Sequence, residues 1–195
     1  MLSLAEADDL SVRYTVNDIS QRELDLAPGW ASKTCFDIAG RDAPTGEFDL
    51  VFSRMVMEHV RDASQAYNNL YELLAPAGIG LHFHPTLFAP PFVINYLLPD
   101  SVSRKVLSIF GRRFTDTIDE YPKFPAYYSW CRNSQSVRQK IKAVGFREVE
   151  LIDFYGHGYF KKIPGIQQID ASLSRLALKH GLRVLTSYAY TLVRR

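Results

Sequence analysis

The sequence feature that most constrains the fold is residues 48–53, FDLVFS, an almost unbroken run of apolar residues. Runs of this kind are typical of a central parallel strand that is covered on both faces. A helix is predicted next, because Asp62 is a good N-cap and apolar residues then recur at helical spacing from 66 to 74. Pro76-Ala77-Gly78 ends it, and GIGLHF (78–83) predicts another strand. A strand, a helix and a strand in this order predict an α/β fold with a parallel sheet.

The N-terminal part shows the same alternation on a shorter scale. Residues 12–16, VRYTV, and 34–38, TCFDI, predict two strands. Ser20 precedes Glu23 by three residues, which is the spacing of a capping box and predicts a short helix between the strands.

The C-terminal part closes the pattern. Residues 135–144 predict a helix, 147–155 a strand and 183–193 the last strand. Another helix lies between those strands and ends at Gly181, which suits a C-cap. The 195 residues are enough for one domain with its own core, so the prediction is a single domain over 1–195.

Residues 87–130 interrupt the alternation after the strand at 78–83. They are rich in Phe, Tyr and Pro, with one predicted helical stretch near 102–110. Because this insert follows a strand at the ligand-binding edge, it is interpreted as a substrate lid for an apolar or aromatic compound, or else as a cap over the sheet. The aromatic residues behind this interpretation are Phe88, Phe92, Tyr96, Phe110, Phe114, Tyr127, Tyr128 and Trp130.

Charge and composition exclude several classes of protein. The net charge of +2 gives no reason to expect nucleic acid as a partner. Cys35 and Cys131 are isolated, so neither a disulfide framework nor a zinc motif is indicated. No secretory signal is visible and no run reaches the ~20 apolar residues of a membrane span, so a cytoplasmic protein without a transmembrane segment is expected.

Three segments together resemble the class I S-adenosylmethionine-dependent methyltransferase family. The first is the strand that ends in Asn17-Asp18-Ile19-Ser20, and the second is Phe36-Asp37-Ile38. The third and most specific is FDLVFSRMVMEHV (48–60), followed by a helix, LLAPAGIGLHF and Pro85. The resemblance covers roughly 10–85 and 135–195, and it implies a Rossmann-like sheet with S-adenosyl-L-methionine as the cofactor.

The resemblance also implies roles for individual residues. Asp18, with Ile19 beside it, would hold the cofactor's ribose hydroxyls, because a carboxylate accepts two hydrogen bonds from a cis-diol. Asp37 and the backbone amide of Ile38 would bind adenine. Residues 53–59, beginning with Ser53 and Arg54, would line the floor near the sulfonium.

The sequence departs from the family pattern at its start. The family's first strand, glycine-rich turn and first helix should precede residue 12, where only MLSLAEADDL stands. The sheet is therefore expected to be incomplete at the N-terminus, and cofactor binding to be weak without the loop amides that grip the methionine part. Residues 12–16 are predicted to pair directly with 48–53, in parallel, or else to leave an open edge that invites self-association.

Three histidines are candidates for a catalytic or metal-binding role. His59 follows the strand at 48–53 and is a candidate catalytic base, although in the family this residue often packs structurally. His82 and His84 alternate along one strand and share a face, which could suit metal-dependent hydrolysis. No third ligand is evident, so a pocket or core position is favoured and no metal is predicted.

The function predicted from the sequence is S-adenosylmethionine-dependent methyl transfer to a small-molecule acceptor, expected to be an apolar or aromatic one, by this chain or by an enzyme of which it is a fragment. The alternative is a catalytically inactive, methyltransferase-like interaction module. The missing glycine loop favours the second interpretation, and the intact Asp18 and Glu58-His59-Val60 segments favour the first.

Overall fold

The structure, a computed structural model, describes residues 11–99, 125–158 and 165–195, together with Asp9. Six strands and five α-helices lie in these ranges. The strands are β1 (Thr15–Asp18), β2 (Ser32–Cys35), β3 (Phe48–Arg54), β4 (Leu74–Pro85), β5 (Glu148–Tyr155) and β6 (Thr186–Arg194). The helices are α1 (Gln21–Asp25), α2 (Ala63–Leu73), α3 (Pro90–Leu97), α4 (Gln135–Ala143) and α5 (Ile166–His180). Short 3-10 turns occupy Met57–His59, Tyr128–Trp130 and Arg183–Leu185.

The strands form two sheets. Strands β3, β4, β6 and β5 lie side by side in that order, and β1 pairs with β2 in a separate two-stranded sheet. β3 runs parallel to β4, whereas β6 runs antiparallel to both of its neighbours, β4 and β5. The α/β class with a Rossmann-like sheet is confirmed, including the antiparallel insertion of the last strand.

The predicted pairing of residues 12–16 with 48–53 is wrong. β1 bonds only to β2 among the described strands, and β3 is an edge strand whose Leu50 and Phe52 are 53% and 52% exposed. The expectation that this strand is covered on both faces is therefore wrong as well. The rings of Tyr14 and Phe52 lie between the two strands with their centroids 6.2 Å apart.

The main core lies on one face of the four-stranded sheet, under α2 and α4. Tyr67 is its centre: its ring stacks on Trp130 at 5.6 Å and meets the edge of Phe146 at 6.4 Å. Leu70 of α2 and Ile141 of α4 complete the contact and are buried. Trp130, a residue of the predicted insert, therefore packs in the core.

The boundary between α2 and β4 differs from the prediction. The helix ends at Leu73 and the strand starts at once with Leu74, so Pro76-Ala77-Gly78 lies inside the strand. Ala77 has a φ of 68°, and the pairing with β3 slips between Phe48 and Leu50. The turn residues thus produce a bulge in the strand, which is where a left-handed residue is tolerated.

The insert is described only in part. Its residues 90–97 form α3, and Tyr128–Trp130 form a 3-10 turn. The helix predicted near 102–110, like Phe110 and Phe114, lies outside the described residues. No helix in the described ranges is long and apolar enough to cross a membrane.

Candidate functional site

Asp18 stands at the carboxyl end of β1, where the sequence predicts it. Its Oδ1 accepts a hydrogen bond from the backbone N–H of Ser20 at 2.8 Å. Ser20 in turn is the N-cap of α1, and its Oγ accepts from Glu23 N. The carboxylate is therefore held at the strand tip by the turn that starts the helix. Ile19, next to it, projects an apolar side chain that is 72% exposed.

The loop after β2 carries Asp37 and Ile38. Asp37 Oδ1 accepts from Ala39 N at 2.8 Å, and the Asp37 carbonyl accepts from Gly40 N at 2.8 Å, so the loop is a compact turn. Asn69 of α2 donates its side-chain amide to the carbonyls of Ile38 and Gly40 at 2.7 and 2.8 Å. These two bonds attach the loop to the helix that packs on the main sheet.

A second asparagine sets the position of this loop relative to β1. Asn17 Nδ2 donates to the Phe36 carbonyl and Asn17 Oδ1 accepts from Phe36 N, both at 3.2 Å. One side chain thus continues the β1–β2 ladder beyond its last paired residues, Asp18 and Cys35. The sequence analysis assigned no role to Asn17 or Asn69. A polar amide in the middle of an otherwise amphipathic helix was the available signal for Asn69.

Ser53 and Arg54 lie at the carboxyl end of β3, as Asp18 lies at the carboxyl end of β1. Ser53 Oγ lies 2.9 Å from His82 Nδ1 on the neighbouring strand. Arg54 is exposed, and after it Met55 adopts a φ of 58° while its N–H donates to the Phe83 carbonyl at 2.8 Å. A left-handed, non-glycine residue at the end of a parallel strand turns the chain sharply into the residues that follow.

Met57–His59 form the 3-10 turn that follows β3, and the turn contacts the end of the insert. His59 Nδ1 lies 2.8 Å from the Pro125 carbonyl, and Tyr127 N donates to the Glu58 carbonyl. The Glu58 side chain points inward and is 2% exposed, with Oε1 3.8 Å from His59 Nε2. Burial raises the pKa of Glu58, opposed by a hydrogen bond from its own backbone and by the charge on His59.

His82 and His84 lie in the core. His84 Nε2 lies 2.9 Å from the Thr191 hydroxyl, and His82 Nε2 is buried with no hydrogen-bond partner in the described part of the chain. Burial lowers the pKa of His82 to about 3, with a further contribution from His84, and lowers that of His84 to about 4. Across the described ranges no three His, Cys, Asp or Glu side chains are grouped closely enough to hold a metal ion.

The structure therefore brings most of the predicted site residues to strand ends. Asp18 ends β1, Asp37 and Ile38 follow β2, and Ser53 and Arg54 end β3. Because parallel strands present their carboxyl ends at one edge, ligands of open α/β sheets bind there. Glu58 and His59 follow within one turn of the same edge. From the sequence Glu58 was expected only as one of the residues 53–59 that line the floor of the site, since nothing in a sequence shows that a carboxyl is buried.

Comparison with known proteins gives a family match and a shared fold. Residues 2–81 match the family model described as a methyltransferase domain. No curated protein matches the chain. A solved S-adenosylmethionine-dependent methyltransferase from Archaeoglobus fulgidus superposes with a TM-score of 0.58 at 13% identity, covering 98% of this chain and 80% of its own. One from Mesorhizobium loti gives a TM-score of 0.54 at 15% identity, covering 97% and 83%.

A longer enzyme shares the fold as well. Phosphoethanolamine N-methyltransferase 2 from Haemonchus contortus, solved with S-adenosyl-L-methionine, superposes with a TM-score of 0.53 at 14% identity over 97% of this chain. The chain spans 44% of that protein's length. Residues 2–81 therefore match a methyltransferase domain, and the chain has the fold of solved S-adenosylmethionine-dependent methyltransferases.

Proposed function

We propose that this chain carries the ribose- and adenine-binding half of an S-adenosylmethionine site and supports methyl transfer to a small-molecule acceptor. The observation that carries the proposal is that Asp18, Asp37 and Ser53 each lie at, or just after, the carboxyl end of a strand. In this proposal Asp18 accepts hydrogen bonds from the two ribose hydroxyls. The exposed Ile19 side chain packs on the face of the nucleoside.

The adenine subsite in this proposal is the turn at Asp37 and Ile38. The Asp37 carboxylate accepts a hydrogen bond from the adenine amino group, and the Ile38 amide donates to a ring nitrogen. Two observations support it: the Asn69 bonds to Ile38 and Gly40 and the Asn17 bonds to Phe36 make the turn rigid. A preformed turn binds a ligand without first being ordered, which favours affinity.

The floor of the site in this proposal is the end of β3. Ser53, held by His82, and Arg54 lie where the sulfonium end of the cofactor would reach. The acceptor would lie against the aromatic residues of the insert. Tyr96 is 48% exposed, and its ring meets the edge of the Tyr128 ring at 5.8 Å, which suits an apolar or aromatic acceptor.

The experiment measures S-adenosylhomocysteine binding by saturation-transfer NMR, which detects weak complexes, for wild type, Asp18→Ala and a matched control. Two hydrogen bonds to a charged acceptor, at ~1.5–3 kcal/mol each, predict at least a tenfold loss in Asp18→Ala. Asp25→Ala, in which the lost carboxylate bonds only Gln21 on the helix surface, should bind as wild type does. Equal binding by wild type and Asp18→Ala would place the ribose elsewhere, and a wild type that does not bind would contradict the proposal.

A further inference from the structure

The Glu58 carboxyl is buried without the hydrogen bonds that a buried acid normally has. The residue is 1% exposed, and apart from the Glu58 backbone itself neither Oε1 nor Oε2 has a hydrogen-bond partner in the described part of the chain. A buried polar group left unpaired costs ~1–3 kcal/mol, and more if it is charged. Such a cost beside a ligand-binding edge is typical of a group that acquires its partner when a ligand arrives.

The surroundings of this carboxyl are apolar and aromatic. Met57 and Cys131 are buried in the adjoining core cluster, with Tyr128 packed against it. The segment that begins at Pro125 lies against the turn and is joined to it by the hydrogen bonds of His59 and Tyr127. An organic cation that enters beside this segment would supply the charge partner that the buried carboxyl lacks.

His59 connects the carboxyl to solvent. The Pro125 carbonyl can only accept, so His59 Nδ1 carries the hydrogen in the 2.8 Å contact between them. In the neutral ring Nε2 is then the acceptor, and it lies 3.8 Å from Glu58 Oε1. The His59 side chain is 40% exposed, whereas that of Glu58 is 2% exposed. The pair therefore spans from the interior to the surface.

From this arrangement we infer that the acceptor is an amine, and that Glu58 removes the proton from its ammonium form and passes it to solvent through His59. The inference rests on the proposed function. It adds the chemical class of the acceptor and the route of the proton, neither of which follows from the fold.

The step is balanced as follows. The ammonium form of the acceptor gives one proton to the Glu58 carboxylate, which leaves a lone pair on nitrogen. Nitrogen forms a bond to the methyl carbon, and the bond from that carbon to sulfur breaks with its electron pair going to sulfur. The products are the methylated ammonium and S-adenosylhomocysteine. The proton on Glu58 moves to His59 Nε2 and then to water, which restores the carboxylate.

The electrostatics around the carboxyl suit this role. Burial raises the pKa of Glu58, so its carboxylate is a stronger base than one in water. The titratable groups near it are His59 on the same turn and the Cys131 thiol on the facing segment. Burial, and then the charge on Glu58, raise the pKa of that thiol, so it stays neutral. Arg132 acts in the opposite direction on Cys131.

The test is a methylation assay with tritiated-methyl S-adenosylmethionine, using 2-phenylethylamine and its isosteric alcohol, 2-phenylethanol, as acceptors. Wild type should methylate the amine and leave the alcohol unmodified. Glu58→Gln should lower kcat/KM for the amine about 100-fold at pH 7. The loss should shrink to within about tenfold near pH 10, where the amine in solution is already unprotonated. A purely structural defect would not be rescued by pH.

Two further variants complete the design. His59→Asn can still donate to the Pro125 carbonyl but lacks the second ring nitrogen, and it should lower kcat/KM about tenfold, with partial rescue by added imidazole. Glu150→Gln, on the exposed side of β5, should behave as wild type. S-adenosylhomocysteine affinity should be the same in all four proteins.

Three results would overturn the inference. They are methylation of the alcohol as fast as the amine, Glu58→Gln activity within threefold of wild type at pH 7, and no methylation of the amine by a chain that binds S-adenosylhomocysteine. Each leaves the proposed cofactor site standing. Failure to bind S-adenosylhomocysteine at all would instead reject the proposed function itself.

Discussion

The two buried histidines of β4 should make the protein acid-sensitive. Burial lowers the pKa of His82 to about 3 and that of His84 to about 4, whereas the unfolded chain has histidines near 6.5. Below pH 6.5 the unfolded state therefore binds two protons that the folded state does not. Stability is lost as the pH falls from 6.5 toward the two folded-state values.

The magnitude follows from the width of that window. A pH of 5.0 lies 1.5 units below the pKa of each histidine in the unfolded chain, and each pH unit corresponds to ~1.36 kcal/mol of stability. Both histidine rings of the folded protein are still neutral at this pH. Each ring therefore costs about 2 kcal/mol between pH 7.5 and 5.0, and the pair costs about 4 kcal/mol. That is a large part of the ~5–15 kcal/mol that stabilises a domain.

The assay is urea unfolding of wild type and of the double variant His82→Asn, His84→Gln at pH 7.5, 6.0 and 5.0. Asparagine can still form a hydrogen bond with Ser53 in place of His82 Nδ1, and glutamine can form one with Thr191 in place of His84 Nε2. The double variant should lose about 4 kcal/mol less than wild type on acidification. Thr191→Val removes a hydrogen bond but no titrating group, so it should keep the wild-type pH dependence.

The comparison between proteins cancels the opposite effect of Glu58, which both retain. If the double variant and wild type differed by less than ~1 kcal/mol in their loss between pH 7.5 and 5.0, the reasoning from burial would be refuted. Such a result would mean that the rings are hydrated in the folded protein.

Three other features give predictions of their own. Glu58→Gln should raise the urea midpoint at pH 8 and have a smaller effect at pH 5. Because the pKa of Glu58 is raised in the folded state, stability falls as the pH rises above the pKa that this carboxyl has in the unfolded chain. An equal effect at pH 8 and pH 5 would contradict this. Ala77→Gly should raise the free energy of unfolding by up to about 1 kcal/mol, since Ala77 has a φ of 68°. Gly78→Ala should lower the free energy of unfolding, because a Cβ there would lie 2.7 Å from the Phe48 carbonyl oxygen. Calorimetry of the two variants measures both changes. Leu50→Lys should reduce concentration-dependent association in light scattering, because a lysine on an exposed edge strand opposes pairing with another chain, and unchanged association would exclude β3 as the contact.

The order of elements could be predicted from the sequence because it depends on local signals. The strand at 48–54, the cap at Asp62 and the closure of α5 at Gly181 are set by apolar runs and by single residues whose side chain or backbone suits one position. Ser20 was located in the same way, through capping chemistry that acts over three residues, whereas Asp18 was singled out by the family resemblance. Local signals therefore predicted the strand ends at which the candidate residues lie.

The relation between β1 and β3 could not be predicted in this way. Whether two strands pair depends on long-range packing, and here the contact next to β1 is between the rings of Tyr14 and Phe52. The burial of Glu58 has a similar origin, since it depends on the 125–131 segment, which is more than 60 residues away in the sequence. Long-range packing of this kind leaves no periodic trace in a sequence.

The Asn69 side chain has a consequence for how the protein opens. Its amide nitrogen donates to the Ile38 and Gly40 carbonyls, and its oxygen accepts from Gln65 one turn earlier in α2. Releasing the 37–40 turn therefore breaks two bonds at once and leaves the amide donors of a half-buried side chain unpaired. Amide hydrogens of that turn should exchange with deuterium together with those of α2, as one cooperative unit, rather than at the rate of a surface loop. Heating or mild denaturant would then release the 37–40 turn only when the helix itself unfolds.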